Sequence, residues 1–66
     1  MNQENELAQR YCVLVGALME DACTEAVTAV NDPDVLRTKV RRLQEINDQC
    51  RELLRVAHTL ARISNR

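Results

Sequence analysis

The chain has almost none of the residues from which turns and sheets are made. Its 66 residues include one glycine (Gly16), one proline (Pro33) and one aromatic side chain (Tyr11), with no tryptophan and no phenylalanine. β-Hairpins need turn residues and strands rich in aromatic or β-branched side chains, so an all-β or mixed fold is not expected. No long apolar run occurs, and the start lacks a charged segment followed by an apolar one; neither a membrane span nor a signal peptide is predicted. Cysteine is present but unpatterned. Cys12, Cys23 and Cys50 are odd in number and form no C-x-x-C motif, which argues against a disulfide framework and against a zinc site. A reduced, cytoplasmic protein without metal or cofactor is the expectation.

What is present is helical. Hydrophobic residues make up 45% of the chain and charged ones 29%, a balance that folds and stays in solution. The stretch from Leu36 to Ala61 fixes the pattern. Written as heptads from Leu36, its a sites are Leu36, Leu43, Cys50 and Ala57, its d sites Lys39, Ile46, Leu53 and Leu60, and its e sites Val40, Asn47, Leu54 and Ala61. Ten of these twelve positions are apolar, a stripe wide enough for a helix that packs against more than one neighbour.

A second stripe precedes it. Between Glu6 and Val30, residues Ala8, Tyr11, Cys12, Val15, Leu18, Met19, Ala22, Ala26 and Ala29 share one helical face, with Leu7 and Leu14 on its flank. Met1 to Asn5 are polar and are expected to fray. Gly16 falls off the stripe, where it costs about 1 kcal/mol relative to alanine. Val13 and Val27 lie opposite, either exposed or part of a second contact surface.

Asn31-Asp32-Pro33-Asp34 separates the two stripes. Asn31 is suited to a left-handed helix end, Asp32 to the N-cap of the next helix, Pro33 to its first position and Asp34 to its dipole. So short a connection makes the helices antiparallel neighbours. The predicted architecture is all-α: a single domain spanning residues 1–66, with a helix over about 6–30, a turn at 31–34 and a helix over about 33–63. Residues at equal height then have indices summing to about 65. Ala29 meets Leu36, Ala22 meets Leu43, Val15 meets Cys50 and Ala8 meets Ala57, small side chains against larger ones through most of the length. Glu25 and Lys39 also meet, either as an ion pair or as two solvated side chains at the stripe edge.

A chain this short barely sustains a core alone, and the stripes are wider than one seam requires. Dimerisation of two hairpins into a four-helix bundle is the simplest closure. Charge is also divided. Residues 1–33 carry Arg10 against six acids, a net of −5; residues 34–66 carry eight basic side chains against four acids, a net of +4. Opposite halves favour packing on each other.

Candidate chemistry is sparse. His58 has no ligand cluster or nucleophile at a readable spacing, and a solvated helix residue is the simpler reading. Cys12 and Cys50 fall at core-facing positions about one turn apart across the hairpin, and Cys23 at the stripe border is the most reactive thiol expected. Glu20, Asp21, Glu25, Glu45, Asp48 and Glu52 offer carboxylates, but Arg41, Arg51 and Arg55 stand three or four residues from the last three, so surface pairing explains them. No catalytic set emerges. Arg37, Arg41, Arg51, Arg55 and Arg62 lie along one side of the second helix and constitute a possible phosphate-gripping face for RNA or DNA. Interleaved acids, a pI near 5.7 and the lack of surface aromatics weigh against it.

The proportions resemble two kinds of known protein: Rop-like plasmid copy-number regulators, which are hairpins dimerised into RNA-binding bundles, and the needle-subunit chaperones of type III secretion, which hold a helical client. Asp32-Pro33-Asp34-Val35-Leu36 followed by Val40, Leu43, Ile46, Leu53 and Leu54 is similar to the second helix of such chaperones. That likeness covers half the chain and is shared by any amphipathic helix, so it transfers no functional residue. The sequence therefore implies a non-enzymatic helical interaction module, an adaptor, scaffold or regulator. Its expected contact residues are Tyr11, Val15, Leu18, Met19, Leu36, Val40, Leu43, Ile46, Leu53, Leu54 and Leu60, and its expected partner is a second copy or a helical client. A secretion-type chaperone and a nucleic-acid-binding regulator are the alternatives.

Overall fold

The computed structural model describes residues 3–64. Helix α1 (Gln3–Asn31) and helix α2 (Leu36–Ser64) are joined by a single 3₁₀ turn, Pro33–Val35. At 1.5 Å per residue, 29 residues give a rod of about 43 Å, and the Cα envelope measures 50 × 15 × 11 Å. The two helices pack against each other as an antiparallel hairpin.

The turn follows from four residues. The Asp32 amide still donates to the Thr28 carbonyl at 2.9 Å, so α1 runs to its end without a left-handed residue. Asn31 therefore does not adopt the left-handed helix end suggested by its residue type; no non-glycine residue described has a positive φ. The break comes one residue later, because Pro33 disfavours helical backbone at the residue before it. Asp32 takes extended angles (φ −138°, ψ 94°), and its side chain accepts from the Asp34 amide at 3.1 Å. This is an N-cap on a proline-initiated turn. Val35 N–H then reaches the Asp32 carbonyl at 3.2 Å, and α2 proceeds.

Helix α1 begins earlier than its apolar pattern. Gln3 to Asn5 are helical rather than frayed, with Glu4 and Glu6 in the first turn where they complement the helix dipole. Met1 and Asn2 lie outside the described residues. Thr24, Thr28 and Thr59 fit the helices by donating their hydroxyls to the carbonyl four residues back.

The core is thin. Six described residues are buried: Ala8, Val15, Ala29, Ile46, Cys50 and Ala57. Val15, Ile46 and Cys50 form its centre, with Leu18, Ala22 and Leu53 packed around them. Val15 and Cys50, whose indices sum to 65, share this cluster, in keeping with the antiparallel register. Ile46, 2% exposed, is the one large side chain fully enclosed among the described residues. Lys39 Nζ lies 2.8 Å from a Glu25 carboxylate oxygen, so this pair closes rather than pointing to solvent.

Cys12 is exposed, contrary to the core position its spacing suggests. It occupies the e site of the α1 heptad, and a two-helix seam encloses only a and d. Helix α2 shows the same division. Ile46, Cys50 and Ala57 at a and d are buried, whereas Val40 and Leu54 at e remain 43% and 45% exposed.

Candidate functional site: an uncovered apolar face

The expected contact residues separate into two groups. Val15, Leu18, Ile46 and Leu53 are brought together in the hairpin seam, with Tyr11, Leu43 and Leu60 half-buried. Met19, Leu36, Val40 and Leu54 are not enclosed. Their exposures are 54%, 49%, 43% and 45%.

These open residues share a side of the rod. Successive residues wind in the same sense along each helix, but the helices run in opposite directions. In an antiparallel pair, the e sites of both helices therefore flank the seam on one side and the g sites on the other. On the e side, Ala26 lies level with Val40, Met19 with Asn47 and Cys12 with Leu54, each pair of indices summing to 66. Leu36 and Leu43 border this ladder from α2, and Cys23 and Val30 from α1. Asn47 is the one polar group in its rungs between residues 12 and 54. Val30, 81% exposed, is the most open large apolar side chain described.

The g side differs. Leu7, Leu14, Val56 and Ile63 make it apolar near the chain ends, but Asp21, Thr28, Arg42 and Gln49 make it polar toward the turn. The e side is apolar, Asn47 apart, from the turn to the level of Cys12 and Leu54, beyond which Asn5 makes it polar. Cys12, Cys23, Ala26 and Val30 belong to it and were not among the contact residues expected from sequence. The signal was present: α1 repeats small or apolar side chains at its e sites, and these become a surface once α2 is placed beside a and d alone.

The basic residues occupy the outer side of α2. Arg37, Arg41, Arg51, Arg55 and Arg62 are all exposed. Arg55 forms a two-pronged pair with Glu52, Nε at 3.2 Å and Nη2 at 2.5 Å. This pair holds the Glu52 carboxyl below its ordinary value of 4.5, chiefly by hydrogen bonding and then by charge, and raises the Arg55 guanidinium for the same reasons. Arg42 rather than Arg41 takes Glu45, at 3.5 Å. Among the described residues Arg37, Arg41, Arg51 and Arg62 make no ion pair. Asp48, Arg51, Glu52 and Arg55 border a shallow open notch of mixed sign. His58 is exposed on the edge between this surface and the apolar ladder.

No group of three or more metal-ligating side chains comes together among the described residues, and no described helix is long and apolar enough to cross a membrane. Cys23 is exposed, as its border position implies, and Cys50 is buried. The chain matches no protein-family model, and comparison with curated proteins and with solved structures finds no match.

Proposed function

We propose that this chain is a non-enzymatic helical interaction module, a small adaptor, scaffold or regulator, that works by offering the e-side face of its hairpin to another helical surface. One observation carries the reading. Five large apolar side chains, Met19, Val30, Leu36, Val40 and Leu54, are each more than two-fifths exposed on one side, beside a core of six residues. Scattered exposed apolar residues are ordinary, but a ladder running from the turn to the level of Cys12 and Leu54 marks a contact surface. Helix-in-groove packing is the mode it suits, with large anchors from α2 and small residues between them.

The test is substitution on and off the face. Met19→Asp and Leu54→Asp abolish association while Val13→Asp, on the far side of α1, leaves it intact; sedimentation reads both. Equal behaviour of all three variants contradicts the assignment.

Nucleic-acid binding is the second reading, favoured by Arg37, Arg41, Arg51 and Arg62 of α2, which are exposed and make no ion pair among the described residues. It requires affinity for RNA or DNA that falls steeply with salt and is lost in Arg37→Glu/Arg51→Glu. Binding that ignores salt, or none at 50 mM salt, removes it.

A further inference from the structure

We infer that the e-side face is covered by a second copy of this chain, related by a two-fold axis parallel to the rod. Helix α1 of each copy then lies against α2 of the other, and both turns fall at the same end. This rests on the interaction-module reading and adds the occupant and its orientation.

Two flat hairpins can meet face to face about a two-fold axis in two ways. With the axis along the rod, every contact between copies is α1 against α2. With the axis across the rod, α1 lies on α1 and α2 on α2, and the turns point opposite ways. Charge separates the two. Residues 1–33 carry a net of −5 and residues 34–66 a net of +4, so the crossed arrangement stacks like net charges, whereas the parallel axis sets the net-acidic helix against the net-basic one. The edges of the face carry the same preference. On α2 the edge next to the ladder holds Arg37, Arg51 and His58. About a crossed axis Arg51 comes level with its own copy near mid-rod, and Arg37 with the far end of the other α2 near Arg62. About a parallel axis they approach the α1 edge, where Gly16 and Cys23 leave room and where Glu6 and Glu20 stand one position farther out.

Size does not separate the two axes, because α1 brings the large Met19 and Val30 to the face beside the small Cys12, Cys23 and Ala26, and α2 brings Leu36, Val40 and Leu54. Area sets no bar: the whole broad side of the hairpin, 50 × 15 Å in Cα extent, caps the contact at about 750 Å² per copy, about 1,500 Å² in all, a ceiling that reaches the range of stable specific interfaces.

The experiment has three readings on the full chain. Sedimentation equilibrium at about 100 μM is expected to give twice the 7.6 kDa chain mass. A nitroxide on Asp34→Cys, in a Cys12→Ala/Cys23→Ala background where Cys50 stays buried, reports the distance between turns. It is expected at roughly 20–30 Å, two helix diameters plus the tethers, against about 50 Å, the rod length, for the crossed axis. On the unmodified protein, a long amine cross-linker that reaches about two helix diameters, in a mixture of isotopically light and heavy chains, is expected to join the sole lysine, Lys39, to Lys39 of the other copy, since each lies at the same height but on the side of its hairpin away from the contact. A dimer with the long distance and no Lys39–Lys39 link overturns the orientation and leaves the interaction reading standing. A monomer that binds an added amphipathic helical peptide through Met19 and Leu54 overturns the second copy alone. A monomer whose melting and apolar-dye binding are unmoved by Met19→Asp and Leu54→Asp removes both.

Discussion

Lys39 and Glu25 lie 14 residues apart in sequence, and their side chains meet at 2.8 Å across the seam, each about a quarter exposed. They occupy d sites in the two helices, where apolar residues would otherwise sit, and their indices sum to 64, close to the 65 of Val15 and Cys50 in the core cluster. The pair therefore marks register near the turn. A slip of either helix by one turn would place both charges against apolar neighbours.

Glu25→Gln and Lys39→Gln are each expected to destabilise the hairpin by about 0.5–1 kcal/mol, since water still screens part of the pair. A double-mutant cycle by urea unfolding should return a coupling near that size, shrinking in 1 M salt. The charge-reversed double variant Glu25→Lys/Lys39→Glu should recover most of the loss. Additive single effects would mean that each side chain acts alone.

Asp32 is the second local fixture. Its carboxylate satisfies the Asp34 amide at the start of the Pro33 turn. Asp32→Ala leaves that donor to water and is expected to cost about 1 kcal/mol, with Asp32→Asn or Asp32→Ser close to wild type. Thermal unfolding by circular dichroism measures the series. A wild-type midpoint for Asp32→Ala would assign the turn to Pro33 alone.

Much of this geometry was legible in the residues themselves. Asp32-Pro33 has few roles other than starting a helix, and apolar spacing placed both helices within a few residues of their observed bounds. Two features were not legible. The residue type of Asn31 suits a left-handed end, but a helix end depends on where the next residue is forced out of helical angles, and Pro33 does this at Asp32. The spacing of Cys12 puts it on the apolar stripe, and a stripe is wider than the surface one neighbour covers. Periodicity locates a face and says nothing of how much of it a single neighbour can reach: Val15, Ile46 and Cys50 at a and d are enclosed, whereas Cys12, Met19, Val40 and Leu54 at e stay open. The same ambiguity hid the ladder formed by Cys12, Cys23, Ala26 and Val30 with α2.

Gly16 offers a stabilising change. It lies mid-helix in α1, and a Cβ built there meets no atom within 4 Å. Gly16→Ala is therefore expected to raise stability by about 0.5–1 kcal/mol through lower backbone entropy in the unfolded chain. A rise in the urea midpoint with unchanged slope would show it. A lowered association constant accompanying that rise would place the residue at the contact between copies, where the added methyl meets the neighbouring helix.

The Glu52–Arg55 pair sets the direction of one pH effect. Its carboxyl is held below the ordinary value of 4.5 in the folded chain, so the unfolded chain binds the proton more readily. The resulting stabilisation is present above the ordinary value and is lost as pH falls through the lowered one. Both side chains are more than three-fifths exposed, so solvent screening makes the effect slight. Glu52→Gln is expected to unfold less steeply between pH 5 and pH 3 than wild type, with the difference vanishing at high salt. Parallel acid-unfolding curves at low salt would show that the pair forms no more in the folded chain than in the unfolded one.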